Sequence, residues 1–281
     1  MDIPFTYLDG ERKMKILSVL LTMLMCVATN PACGSSGKPM PPAPAFESNV
    51  GYLPVEAVPD SMALLPPPPA PGSPSLATDD AASRENLALR DTPRWELAQR
   101  DAVRSFPEAA EAFTCAVNAP ITEQDTPHLY LLLRKTLADA SNSTWRAKDY
   151  YRRTRPFVVN GKPTCTPDAE TALAKSGSYP SAHSATGWAW ALILSEIDPE
   201  RADGIINRGL AYGKSRVVCN VHWESDVAAG RVMGVSTVAR LHADPVFRAD
   251  LEAARAELGA VRARGLKPKR DCAAEAAAMG K

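Results

Sequence analysis

Ser181–Ile197 reads SAHSATGWAWALILSEI, and its first three residues, Ser181, Ala182 and His183, follow Pro180 and open a strongly apolar helix expected over His183–Ile197. On either side the pattern is the same. From Ala77 to Arg264 the segments are long and rich in Ala, Leu, Glu and Arg, with few alternating β-branched runs, so they read as helices rather than strands. The fold class expected is therefore all-α, a single compact helical bundle. Helices are expected over Asp79–Ala116 with breaks near Pro93 and Pro107, then over Pro127–Tyr151, His183–Ile197, Pro199–Lys214, Trp223–Leu241 and Pro245–Arg264. Pro199 after Asp198 and Pro245 after Asp244 place a proline at the first helical position behind a capping carboxylate. Between Phe157 and Pro180, Gly161, Pro163, Pro167 and Gly177 break the pattern into a long loop of the kind that borders sites.

The chain has 281 residues, of which 45% are apolar, enough for a sizeable core. Thirty-two basic residues balance thirty-two acidic ones, so bulk charge proposes neither nucleic acid nor an anionic membrane surface as partner. Thirteen of the 25 prolines fall between Pro31 and Pro74, and the runs PPAPA and LLPPPPAPG favour extended polyproline backbone. Residues 29–76 therefore read as a linker or an arm laid across the domain, 77–264 as the globular helical domain and 265–281 as a C-terminal tail.

Arg12, Lys13 and Lys15 precede an apolar run from Ile16 to Val27 that is too short to span a bilayer, which takes roughly twenty residues. Residues 1–28 read as a signal peptide cut after Ala28, with Met14 as an alternative start, and place the protein in the periplasm. Lipid attachment at Cys33 is the weaker reading, because Asn30 stands where an aliphatic residue belongs. Cys115, Cys165, Cys219 and Cys272 remain after the leader, an even number that export permits to pair in three ways. The sequence has no CxxC pair, which counts against a zinc cage, and no metal or other cofactor is expected.

Three segments carry chemistry. KDYYRRTRP places Lys148 and Arg155 seven residues apart at a helix end, two turns on one face, among Arg146, Arg152 and Arg153, a local anion trap in a neutral chain. GSYPSAHS sets backbone N–H groups at a helix start, where phosphate oxygens bind without side-chain charge. SRVVCNVHWESD gathers Ser215, Arg216, His222 and Asp226; an i to i+4 step on a helix beginning near His222 brings the carboxylate to the imidazole. Each has a plain structural explanation alone: a solvated helix end, an ordinary Ser cap, a structural His–Asp pair. Their conjunction within the 79 residues from Lys148 to Asp226 is what argues for a site.

In order they read K-x6-RP, PSAH and SR-x5-H-x3-D, which resembles the signature of the phosphatidic acid phosphatase type 2 and vanadium haloperoxidase superfamily. Within it, GSYPSAHS, RGLAYGKSRVVCNVHWESDVAAGRV and LLPPPPAPGS are similar to the bacterial class A non-specific acid phosphatases over about Leu64–Leu258. The resemblance implies a metal-independent acid phosphatase for phosphate monoesters of broad range, nucleotides included, with phosphotransfer to other acceptors and an acidic optimum. It implies that His222 is the nucleophile, held by Asp226, and that His183 is the general acid and then base. Lys148, Arg155, Ser181, Ala182 and Arg216 would bind the phosphoryl oxygens. It also makes a homodimer an expectation.

Gly usually stands at the position of Ala182, and a left-handed backbone there would cost roughly 1–2 kcal/mol, whereas the first turn of a right-handed helix accepts Ala freely. His128 and His242 read as structural. Neutral His222 and protonated His183 together imply a bell-shaped pH profile. The competing functions are vanadate-dependent halide oxidation on the same scaffold and a non-catalytic envelope protein that binds phosphate; a membrane lipid phosphatase is disfavoured by the single short apolar run.

Overall fold

The structure, a computed structural model, describes residues 50–280. The signal peptide read at 1–28, the start at Met14, Cys33 and the first part of the Pro-rich segment lie outside the described residues. Thirteen α-helices and four short 3-10 turns make up the described residues, and no strand occurs among them.

Capping residues place several helix starts. Asp60 caps α1 (Ser61–Leu64), Ser73 caps α2 (Pro74–Leu87) and Thr92 caps α3 (Pro93–Asp101), the last two with proline in the first turn. A 3-10 turn at Glu108–Phe113 runs into α4 (Thr114–Val117). The long helix expected over Pro127–Tyr151 is two: α5 (Pro127–Asn142) and α6 (Trp145–Tyr151). The break falls where the Ser143 and Thr144 hydroxyls donate to the Ala140 and Ser141 carbonyls at 2.8 and 2.7 Å, local bonds that compete with helix continuation. The segment from Phe157 to Pro180, expected as loop, holds two single-turn helices, α7 (Pro156–Asn160) and α8 (Glu170–Ala174).

The apolar helix α9 (Ala182–Ile197), capped by the Ser181 hydroxyl, is the centre of the molecule. Largely apolar and largely buried, it is packed among α10 (Ala202–Val218), α11 (Glu224–Leu241) and α5, with a narrow strip at Trp188, Leu192, Ser195 and Glu196 reaching solvent. A 3-10 turn at Pro199–Arg201 precedes α10, which runs to Val218 rather than stopping at Lys214. The amphipathic α12 (Pro245–Ala263), capped by Asp244, covers α5. Trp190, Tyr212, Phe113 and Leu132 lie wholly inside, and the Trp190 indole donates to the Leu133 carbonyl at 2.9 Å. A smaller cluster of Trp95, Phe157, Cys165, Val218, Cys219 and Val221 lies beneath the turn between α10 and α11.

Both flanks of the bundle are attached to it. The backbone N–H groups of Tyr52 and Leu53 donate to Asp139 on α5, the Tyr179 hydroxyl donates to the Pro66 carbonyl at 2.7 Å, and Leu65 is buried. Residues 265–281, read from sequence as a tail, contain α13 (Cys272–Ala278). Its Glu275 is buried 3.2 Å from Nε of Arg208, itself a wholly buried cation on α10. The cysteines pair as Cys115–Cys272 and Cys165–Cys219, so one bridge anchors α13 and the other ties the loop before α8 to the end of α10.

Gly187 lets α9 and α10 touch: a Cβ there would stand 2.1 Å from the Tyr212 ring, which in turn stacks on the His183 imidazole, centroids 4.6 Å apart and planes 14° off parallel. Gly187→Ala is expected to destabilise the fold by about 1–3 kcal/mol through overpacking and to lower turnover with it. Urea unfolding followed by fluorescence, beside activity assays on the same variant, checks this.

Candidate active site

A cleft of about 810 Å³ opens at the N-terminal end of α9. Lys148, Arg155, Ala182, His183, Arg216 and His222 line it, so six of the eight site residues expected from sequence converge on one space. Asp226 and Ser181 stand behind this wall, both without solvent exposure.

Each cation arrives by a different local device. Lys148 is near the end of α6, and its ammonium donates to the carbonyls of Pro180, at 2.6 Å, and Gly177, at 3.1 Å. Gly177 is required there because a Cβ would lie 2.5 Å from the Lys148 carbonyl oxygen. Arg155 is not on the same helix face: α6 ends at Arg152 in the left-handed conformation, and Arg155 is the N-cap of α7. Its guanidinium donates to the carbonyls of Leu173, Val221 and Gly177 at 2.8, 3.0 and 3.2 Å, and to the Ser176 hydroxyl at 3.0 Å. Arg216 sits in the last turn of α10, and its Nε and Nη1 are buried with no hydrogen-bond partner in the protein. Of the other cations in or beside KDYYRRTRP, Arg146 pairs with Asp60 at the surface, Arg152 is exposed, and Arg153 points behind the wall.

His222 lies in the turn before α11, not on the helix. Asp226, in the first turn, reaches back to accept from the Trp223 backbone N–H at 2.9 Å while its Oδ2 stands 3.3 Å from His222 Nδ1. One carboxylate thus caps the helix and holds the imidazole. Its second oxygen accepts from Arg153 at 2.7 Å, and Arg153 also pairs with Asp79 on α2. Asp79 and Arg153 form this supporting pair without any sequence signal, since Asp79 is 74 residues from Arg153. With Nδ1–H directed at Asp226, His222 Nε2 carries the lone pair and accepts from Arg155 Nη1 at 3.2 Å.

His183 bonds through Nε2 to the backbone carbonyl of Asp101. A carbonyl only accepts, so Nε2 carries a proton and Nδ1 is the nitrogen left for chemistry. The Asp101 carboxylate is held by Arg208 and by the Ser215 hydroxyl at 2.6 Å, a buried support for His183 that the motifs do not reveal. Ala182 is the first residue of α9 and its φ lies outside the left-handed region, so the methyl brings no backbone strain. The Ser181 hydroxyl accepts from the N–H and hydroxyl of Ser184, at 3.2 and 2.9 Å, and so serves as the cap of α9. His128 and His242 are outside the cleft; the His128 N–H donates to Glu257, and His242 Nε2 is 3.1 Å from Glu196.

The electrostatics follow from burial among like charges. Burial first, then Arg155, lowers Lys148 to about 7. Burial likewise brings Arg155 and Arg216 down to about 10, which leaves both charged at neutral pH. Both imidazoles are held well below the ordinary histidine range, His222 by burial and then Arg155, His183 by burial and then Arg216. Burial raises Asp226, and Arg153 opposes it most strongly. A space lined by fixed cations and neutral imidazoles, with unpaired guanidinium donors, suits a multiply charged oxyanion.

The fold and this space define a helical phosphoryl-transfer protein, and the comparisons agree. The model of the PAP2 superfamily matches residues 127–249, from α5 into α12. A non-specific acid phosphatase of Providencia stuartii is 45% identical over 207 residues, covering 73% of this chain and 84% of that protein. One from Salmonella typhimurium is 43% identical, covering 74% and 83%, and an acid phosphatase of Zymomonas mobilis is 41% identical, covering 71% and 75%. The chain belongs to the PAP2 superfamily, among its bacterial non-specific acid phosphatases, and is an acid phosphatase.

Lys148 makes anion affinity pH-dependent with a defined sign. Below about pH 7 its ammonium is present before the anion arrives; above it, binding must take up a proton. Sulfate, whose own charge is constant over this range, is expected to bind up to about tenfold more weakly per unit above pH 7, a slope that Lys148→Met removes. Sulfate protection against thermal unfolding from pH 6 to 9 measures it.

Proposed function

We propose that the protein hydrolyses small phosphate monoesters, nucleotides among them, through a phosphohistidine, without a metal ion, in the periplasm. The observation that carries the site assignment is Arg216: a buried guanidinium with unpaired Nε and Nη1 borders the cleft that also holds the His222 imidazole. A buried, unpaired charge is costly, and a phosphoryl group bound beside it removes that cost.

In the first step His222 Nε2 attacks phosphorus, a P–N bond forms and the bond to the leaving oxygen breaks. Asp226 accepts from Nδ1 and stabilises the charge that grows on the ring. Lys148, Arg155 and Arg216 neutralise the three equatorial oxygens, joined by the Ala182 N–H at the start of α9, while Ser181 behind the wall caps that helix. His183 Nδ1 gives a proton to the departing alkoxide, then removes one from the water that cleaves the P–N bond. An alcohol in place of that water gives phosphotransfer.

Burial, and after it the charges of Arg216 and Arg104, hold His183 neutral before substrate binds. A bound phosphoryl dianion reverses that field, so substrate binding itself prepares the acid. The positive lining also supports a metal-free reaction, since a divalent cation would face Lys148, Arg155 and Arg216 with no carboxylate among the cleft's lining residues. Location rests on the basic and apolar pattern of residues 1–28, and a homodimer on likeness to the family alone.

Hydrolysis of p-nitrophenyl phosphate in EDTA tests the mechanism. Full activity in chelator is expected, with a loss of about 10³-fold or more in His222→Ala. Quenching into base during turnover should trap a protein-bound phosphoryl group that is stable in base and lost in acid, as a phosphoramidate is. Activity that disappears with EDTA and returns with a divalent ion overturns the metal-free step.

A further inference from the structure

The reaction described above uses only the floor of the cleft, whose size is that of sites for drug-sized ligands rather than for a phosphoryl group alone. One wall of the remaining space is a single face of α5: Arg134, Leu137, Ala138 and Ser141 recur at helical spacing and all line it. Across this wall lies Arg104, in the connection after α3, which donates to the Ser141 hydroxyl. Arg104 belongs to none of the three motifs and forms no ion pair among the described residues. Its charge reaches the site, for it is among the groups that push down Lys148, His183 and Arg216. No Asp or Glu lines any part of the cleft, so nothing there repels a second anion.

We propose that Arg104 holds a second phosphate on the leaving-group side, with Arg134 raising the positive potential of the same wall, so that the preferred substrates are phosphomonoesters whose leaving group itself carries a phosphate. The inference rests on the hydrolytic reading above and adds its substrate class. A guanidinium fork matches a phosphate in two bonds, and a dianion gains more from the wall than a carboxylate does. The scissile phosphoryl group lies over His222, and the spectator phosphate lies toward Ser141.

The test compares 1,4-butanediol bisphosphate with 4-hydroxybutyl phosphate, which share the same leaving alkoxide and differ in the distal charge. The wild-type kcat/KM per scissile group should favour the bisphosphate by about tenfold or more, as one charge-assisted phosphate contact implies. Taking the ratio within each protein cancels general effects of substitution. Arg104→Ala should bring it close to one, Arg104→Lys should retain part of it, and Arg134→Ala should reduce it less. A wild-type ratio within twofold of one, or a ratio unchanged in Arg104→Ala, overturns the subsite. Affinities for butane-1,4-bisphosphonate and butylphosphonate, read by calorimetry, give the same contrast without chemistry. If neither ester is turned over yet the bisphosphonate binds more tightly in an Arg104-dependent way, the hydrolytic mechanism fails and the subsite stands.

Discussion

Positive charge buried without matching negative charge is the constraint on which this molecule is built. Lys148, Arg155 and Arg216 border one cleft whose lining holds no carboxylate, and Asp226 behind it is taken up by Arg153, His222 and the start of α11. Such an arrangement survives only where the surrounding backbone supplies acceptors, and it does: the carbonyls of Leu173, Gly177, Pro180 and Val221 take the donors of Lys148 and Arg155. The stretch between α7 and α9 turns three of these carbonyls inward, and the turn between α10 and α11 supplies the fourth, that of Val221. Arg216 is left with donors that no protein atom fills, so the protein carries part of its binding energy as an unmet demand.

The rest of the bundle can be understood as the frame for that arrangement. An apolar helix enclosed by three others fixes the start of α9 as a rigid point, and the ends of α6, α10 and α11 are brought to it. Buried ion pairs add little net stability as a rule. Asp79–Arg153–Asp226 and Asp101–Arg208–Glu275 instead define which way two imidazoles face, the first through the carboxylate on His222 and the second through the carbonyl on His183.

Much of this is legible in the sequence because it depends on local order. The helical class follows from composition and period, and Pro93, Pro127 and Pro245 each mark a helix start that the structure has. Lys148, Arg155, Ala182, His183, Arg216 and His222 meet in the cleft as the spaced motifs imply. What sequence hides is whatever depends on partners far along the chain or on competition between backbone and side chain. Hydroxyls at 143 and 144 end α5 where propensity alone continues it, and Lys148 and Arg155 reach one space from two helices rather than from one face. Asp79, Asp101 and Arg208 have no motif, because their roles come from contacts across 74 or more residues.

The bridge between Cys115 and Cys272 has a consequence for how the protein is made. Arg208 lies between Asp101 and Glu275, so the residues that steady His183 come from positions near the start of the bundle and from the last helix of the chain. A nascent chain that has not yet released α13 lacks one of the two carboxylates around a fully buried guanidinium. The complete pocket is thus a property of the finished, oxidised chain, and a bundle still being synthesised, or still in a reducing compartment, holds His183 in a frame without its final fastening.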